Sequence, residues 1–364
     1  MKTISFTVTN DLTYDQRMQR VCTTVANAGY KVVLIGRKLK NSSPLSQQIY
    51  EQKRLKCFFA KGKMFYVEYN FRLFFYLLFT KTDCYCAIDL DTILPNYFAS
   101  LFRRKKRAYD AHELFTEQKE IVTRPVIKKA WMAVESFAVP RFQHGYTVNS
   151  FIADELQKRY GVHYGIVRNL PKLNRETLPV PDSNDPFIIY QGAVNEGRSF
   201  ETLIPAMKTV NARLVICGSG NFMEQVKKLI QQYGVENKVE LKGMVKPDEL
   251  RKITPQATIA VMLFENTGLN QYQSLANRFF DYIMAGVPQV CVAYPQYKAI
   301  NDQYQIASLI SDTETTTIAN ALNNLLADRV YYNSLHQNCL LARETLNWEN
   351  EEQVLINFYR QLFN

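Results

Sequence analysis

The chain has 364 residues, 47% of them hydrophobic and 21% charged, which excludes a disordered polymer and favours two folded domains over a single core. Its net charge is +10, and residues 1–170 hold 27 Lys and Arg against 14 Asp and Glu, so the basic excess lies entirely in the N-terminal half. Such a half calls for an anionic partner, either a phospholipid surface or a phosphorylated substrate; no recognisable nucleic-acid module accompanies the charge, so nucleic acid is set aside.

Residues 1–6 lack the apolar stretch of a signal peptide and read as a first strand. A strand over 4–9, a helix over 14–28, a C-capping Gly29 and a strand over 31–35 make a βαβ unit. The turn between them carries Asn10, Asp11, Asp15 and Arg17 but no GxGxxG, which argues against a nicotinamide or flavin enzyme. Asp15 and Arg17 read either as a surface ion pair or as contacts to a bound acceptor. The apolar tract at 71–79 is interrupted by Arg72 and is too short to span a bilayer.

Further strands are expected at 84–88, 107–110 and 146–148, and a helix from the capping Asn149 to Gly161. Asp89 and Asp91 form a DxD string, which marks either a strand end or a metal site. No third ligand is evident, so no metal is assigned. His112 and Glu113 follow the strand at 107–110, where ligands of open α/β sheets bind; the plain alternative is a histidine bonded to a neighbouring loop. The run from Arg103 to Arg107 follows an apolar stretch, 97–102. It reads as a solvated helix end or as a docking patch for anionic lipid headgroups. The seven cysteines are scattered without a CxxC pair, as in a reducing compartment.

A polar, proline-bearing stretch at 170–186 opens a second α/β series. Strands are expected at 187–190, 212–217, 239–241 and 258–262, and helices at 200–207, 223–233 and 247–253. Gly192 and Gly197 permit a close approach, and Arg198 could grip a diphosphate bidentately. Asn277 and Arg278 head a helix that stops at Gly286, turns at Pro288 and enters a strand at 290–293. A helix N terminus favours phosphate, which points to a nucleotide site. The last helix, 350–363, closes its own domain or crosses back to the first.

Taken in order, these strings resemble glycosyltransferase family 4. They are Asn10-Asp11 with Asp15 and Arg17; Asp89 to Thr92; Asp110 to Leu114; Tyr190-Gln191-Gly192 with Gly197-Arg198; Cys217 to Gly220; Leu241 to Gly243; and Ala276 to Pro288. The resemblance implies the α/β GT-B fold, with two Rossmann-like domains and parallel sheets facing a central cleft. Residues 1–169 would bind the acceptor, residues 170–348 the donor, and 349–364 would be a helix packing back on the first domain. The implied activity is retaining transfer from a nucleotide diphosphate sugar, UDP- or GDP-linked, without metal or cofactor. The acceptor would be a glycan or a lipid-linked one in surface polysaccharide synthesis, and the enzyme would sit in the cytoplasm against the inner face of the membrane.

The resemblance assigns catalytic parts to His112, Arg198 and Asp281. It assigns donor contacts to Gly192, Gly218, Gly243, Met244, Val245, Gln273, Ser274, Leu275, Ala276, Asn277 and Arg278. Asn10, Asp11, Asp15, Arg17, Asp91 and Glu113 fall on the acceptor side. This sequence departs from the pattern in three ways. The family's paired glutamates become Gln273 and Asp281, its lysine becomes Arg198, and its partner arginine becomes Ala193, with Arg278 as the substitute cation. A nucleotide-sugar epimerase of similar fold and a degenerate binding module are the alternatives.

Overall fold

The computed structural model describes residues 1–13, 15–175, 178–179 and 185–364. The chain divides into two compact units, residues 1–169 with 351–364, and residues 170–350.

In the first unit, β1 (Thr3–Thr7), α1 (Gln16–Asn27), β2 (Lys31–Lys38), β3 (Glu51–Lys56), α2 (Gly62–Phe79), β4 (Cys84–Ile88), α3 (Ile93–Arg103) and β5 (Lys106–Ala111) follow one another. Then come α4 (Lys119–Val122), α5 (Pro125–Ala138), β6 (Gly145–Thr147), α6 (Ser150–Tyr160) and β7 (Gly165–Ile166). The sheet order is β3-β2-β1-β4-β5-β6-β7, and every neighbour is parallel. Parallel strands covered on both faces become continuous apolar runs, as β4, fully buried, illustrates. Asp15 caps α1 by accepting the Met18 amide, and Asn149 caps α6 by accepting that of Ile152.

The second unit runs β8 (Phe187–Gln191), α7 (Phe200–Ala206), β9 (Arg213–Cys217), α8 (Met223–Tyr233), β10 (Val239–Gly243), α9 (Pro247–Ile253) and β11 (Ile259–Met262). It continues with α10 (Leu269–Tyr272), α11 (Asn277–Met284), β12 (Gln289–Val292), α12 (Pro295–Tyr304), β13 (Ala307–Ile310), α13 (Thr315–Ala327) and α14 (Arg329–Ala342). Its sheet is also all parallel, in the order β10-β9-β8-β11-β12-β13.

Both sheets reverse direction once. β1 lies between β2 and β4, and β8 lies between β9 and β11. Ligands of open α/β sheets bind outside the carboxyl ends of the strands at such a switch point. This places the turns after β1 and β4 in one unit, and after β8 and β11 in the other, at the natural binding edges.

The last helix, α15 (Trp348–Phe363), contributes its residues from 351 onward to the first unit. Its Tyr359 ring meets Phe6 edge-on at 5.9 Å, and its hydroxyl lies 3.2 Å from that of Tyr146. Glu351 accepts both the backbone amide and the Nε of Arg168. Among the described residues no helix is long and apolar enough to cross a membrane.

Most expected element boundaries moved by a residue or two, the end of β2 by three, and β3, α2, α4, α5, β7, α10, α12, β13, α13 and α14 were not foreseen. The tract at 71–79 is the second half of α2, an 18-residue helix. The run Arg103–Arg107 is not one helix end. It leaves α3 at Arg103, turns through a left-handed Arg104 and enters β5 at Lys106. Lys105 pairs with Asp83, Lys106 donates to the Leu362 carbonyl, and Arg107 donates to the Arg141 carbonyl and to Ser100. Three of its five cations therefore serve the fold.

Candidate active site

In the first unit the switch-point turns gather a polar cluster. Asp110 ends the interior of β5 and is fully buried; it pairs with Arg17, whose Nη2 lies 3.0 Å from its Oδ1. Arg17 also donates to the Val167 carbonyl and through Nε to His112 Nε2 at 2.9 Å. It forms no pair with Asp15, contrary to the surface-ion-pair reading. Asp15 instead caps α1 and takes the Asn10 amide, while Arg17 turns inward from the first turn of the same helix.

His112 is half-buried between two carboxylates. Its backbone amide donates to Asp89 Oδ1 at 2.8 Å. Its Nδ1 lies 3.5 Å from Asp89 Oδ2, and its Nε2 lies 3.1 Å from Asp110 Oδ2. One ring nitrogen cannot accept the Arg17 proton and donate to Asp110 at once, so protonating His112 exchanges one contact for the other. Burial opposes the charged ring, but Asp110 and Asp89 outweigh it and raise the His112 pKa. Burial likewise opposes the Asp110 carboxylate, yet Arg17 and His112 hold its pKa below the ordinary value.

Asp89 holds a positive φ of 55°, a strained conformation for a residue with a side chain. Its amide bonds to the Asp110 carbonyl, so the strain is kept by the two strand ends it bridges. Asp91 accepts from Thr9, and Glu113 from Gln118. Burial first, and neighbouring carboxylates after it, push both acids up to about 7. Asn10 and Asp11 brace the turn itself, through the Leu12 and Thr13 amides. Arg54, which sequence reasoning missed, clamps this turn by donating to the Asp11 carbonyl and the Thr13 hydroxyl.

In the second unit Arg198 and Arg278 face a common ring. The Arg198 guanidinium carbon lies 4.1 Å from the Phe264 centroid and that of Arg278 4.9 Å. Arg278 is buried; it donates through Nη1 to the Tyr190 hydroxyl at 3.0 Å, and its Nη2 is buried without a partner. Among the described residues neither guanidinium has a carboxylate partner. Burial and the nearby Arg278 charge lower the Arg198 pKa. A buried Arg278 beside a half-buried Arg198, with no anion between them, is costly unless a ligand supplies one.

Glycines let the backbone close around this pair. A Cβ on Gly192 would stand 3.0 Å from Arg278 Nη1, and Gly192 itself has φ of 124°. A Cβ on Gly218 would fall 1.7 Å from the Gly192 carbonyl oxygen, so the turns after β8 and β9 pack backbone to backbone. The Glu265 amide donates to the Gly197 carbonyl, tying the turn after β11 to that after β8.

Helix α11 begins at Asn277, as expected, three residues beyond Ser274. The Ser274 amide bonds to the Gln271 carbonyl, and the Ala276 amide to the Tyr297 hydroxyl, 3.0 Å away. Tyr297 also lies 3.2 Å from the Ser274 hydroxyl. The anion-facing mouth therefore narrows to the first-turn amides of Asn277 and Arg278, which a helix cannot satisfy internally. Leu275 packs against the core, and Gln273 accepts from Gln296 at 3.4 Å. Asp281 accepts from Gln191 Nε2 at 3.1 Å, while Gln191 Oε1 takes the Thr254 hydroxyl. Gly243, Met244 and Val245 lie at the carboxyl end of β10, two strands from β8, with Met244 exposed. Phe264 and Tyr297 were not chosen from the sequence, and Tyr190 and Gln191 stood there only in a family-like string without a site role. Only the strand-end position of Tyr190 and Gln191 could have signalled them.

Residues 176–339 match the family model described as glycosyl transferases group 1. An uncharacterized glycosyltransferase of Methanocaldococcus jannaschii is 26% identical over 197 residues, which are 52% of this chain and 48% of that protein. The match thus spans about half the length of that curated relative. Among solved structures, a sucrose-phosphate synthase from Thermosynechococcus elongatus superposes with a TM-score of 0.83 at 16% identity, covering 100% of this chain and 99% of the other. HepE of Anabaena in complex with UDP-glucose gives 0.75 at 11%, covering 99% and 100%. The fold is GT-B, two α/β domains with parallel sheets.

Proposed function

We propose that this chain is a group 1 glycosyltransferase that moves a sugar from a nucleotide diphosphate sugar to a glycan or lipid-linked acceptor. The observation that carries this reading is the Arg198–Arg278 pair, Arg278 buried and Arg198 half-buried, set against Phe264 without a carboxylate and beside the glycine-lined end of β8. Breaking the bond between sugar and diphosphate develops negative charge on the leaving group. The two guanidiniums and the first-turn amides of α11 are preorganised to receive it, at no reorganisation cost during the reaction. The UDP-glucose bound by the similarly folded HepE supports a uridine diphosphate sugar as donor class, with GDP-sugars as the other candidate.

Retention of configuration enters this proposal from the family resemblance, as attack on the same face that the diphosphate leaves. Asp281 is engaged with Gln191 rather than poised as one of a close carboxylate pair. The departing phosphate itself would take the acceptor's proton, and no metal is needed. The first unit, with His112 half-buried at its binding edge, takes the acceptor. Its positive charge supports work at the cytoplasmic face of an anionic membrane, in surface polysaccharide synthesis.

A thermal-shift panel of UDP-, GDP- and ADP-sugars tests the donor assignment, because a ligand that binds only the folded state raises its stability. Selective stabilisation by one class is expected. A second reading, a binding module without turnover, draws on Ala193 and on the engagement of Gln273 and Asp281 inside the protein. Release of free nucleotide in the presence of acceptor separates the two.

A further inference from the structure

Helix α2 is apolar on both sides. Phe65, Tyr69, Leu73 and Leu77 face the core, while Met64, Val67, Phe71, Phe75 and Phe79 form a second stripe at helical spacing that faces outward. Phe71 is 65% exposed and Phe79 81%. A helix apolar all round is ordinarily buried, so this outer stripe needs a cover. The stripe continues onto α3, where Phe102, 67% exposed, meets Phe74 at 6.0 Å, and Leu101 stands beside it.

The surroundings are cationic. Lys61 and Lys63 flank the start of α2 and Lys81 its end, and Arg103 and Arg104 close α3; all are exposed. The two helices contain a single acid, Glu68, and it is consumed by Arg72 and by the Phe58 and Phe59 amides. A groove between α2 and the edge strand β3 is lined by Leu55, Lys56, Phe71, Arg72, Phe75 and Tyr76, so apolar walls end in two cations. Aromatic side chains bordered by exposed lysines and arginines match an acyl-chain boundary under anionic headgroups.

Helix α2 also reaches the polar cluster. Asn70, one residue before Phe71, donates to the Asp91 carbonyl, and Tyr69 donates to that of Val8.

We propose that the outer face of α2, extended by Leu101 and Phe102 of α3, docks on a bilayer carrying anionic lipids, and that α2 thereby brings a lipid-borne acceptor to the first unit's cluster. This rests on the acceptor reading above and replaces the Arg103–Arg107 run as the docking element, leaving Arg103 and Arg104 at its margin.

The test is flotation of the whole chain with vesicles of phosphatidylglycerol and phosphatidylcholine, against vesicles of phosphatidylcholine alone. Binding to the anionic vesicles that weakens with salt is expected, and the triple variant Phe71→Ser, Phe75→Ser, Phe79→Ser is expected to lose at least about tenfold in partitioning. Nucleotide-sugar stabilisation of the triple variant, read separately, verifies that it is folded and keeps the donor reading independent of this one. Undiminished binding by the triple variant would overturn the proposal. So would a chain that ignores both vesicle types and sediments as a dimer dissolved by the same three substitutions, which would assign the stripe to a second copy. If the triple variant melts early, brominated lipid should quench a tryptophan placed by Phe71→Trp above the two native ones; its remaining unquenched in bound protein would contradict the docking face.

Discussion

Arg198 and Arg278 come from different turns of the second unit, yet both guanidiniums approach Phe264, within 4.1 and 4.9 Å of the ring centroid. Cation–π contact offsets part of their mutual repulsion, worth roughly 0.5–2 kcal/mol each. It does not provide the anion that the buried Arg278 Nη2 lacks.

Removing either guanidinium should therefore weaken nucleotide binding more than it weakens the fold. Arg198→Ala and Arg278→Lys are each expected to cost about 10- to 100-fold in affinity for the preferred sugar nucleotide, the range of a charge-assisted hydrogen bond. Calorimetry measures it; an affinity unchanged in both variants would remove the pair from the diphosphate site.

Gly218→Ala probes the close packing of the turns. Its Cβ would have to displace the Gly192 carbonyl from 1.7 Å. Overpacking of this kind costs about 1–3 kcal/mol, and the shifted turn should also lose the nucleotide. A lowered melting temperature together with lost binding is expected.

In the first unit, Arg17→Met leaves the buried Asp110 carboxylate with His112 alone facing it, at a cost of up to about 3–5 kcal/mol. The double variant Arg17→Met, Asp110→Asn should recover much of it. Arg17 holds the His112 pKa down, so the titration of His112 followed by NMR should move upward in the single variant. A downward or absent shift would contradict the Arg17–His112 contact.

The acids of this cluster give a pH dependence of definite sign. Asp91 and Glu113 stand at about 7 in the fold, against about 4 in an unfolded chain. The folded state thus holds their protons more tightly, and its stability declines as pH rises from roughly 4 through 7. Urea unfolding at pH 5 and 8 should show the wild type losing more stability across that interval than Asp91→Asn. Equal losses would mean that Asp91 titrates normally.

Much of the scaffold was legible because parallel strands announce themselves as short apolar runs ended by glycine or a capping residue, as at Cys84–Ile88 and around Asn149. Arg198 and Arg278 were visible as cations beside glycines. Their convergence on Phe264 was not, since it depends on the turn after β11, which has no local pattern. Tyr297 shows the same limit: it takes the Ala276 amide just before α11 from a position 21 residues further on. Arg17 looked like a surface charge because its partner, Asp110, lies 93 residues away. The outer stripe of α2 escaped notice because a helix apolar on two faces has no single period to read.

The central claim is that a diphosphate lies between Arg198, Arg278 and the opening amides of α11. A crystal structure with the nucleotide that best stabilises the chain tests it directly. The account predicts phosphate oxygens within hydrogen-bond distance of both guanidiniums and of the Asn277 or Arg278 amide. A nucleotide seated at the carboxyl ends of β1 and β4 instead, or a second unit whose arginines stay closed to it, would contradict the account.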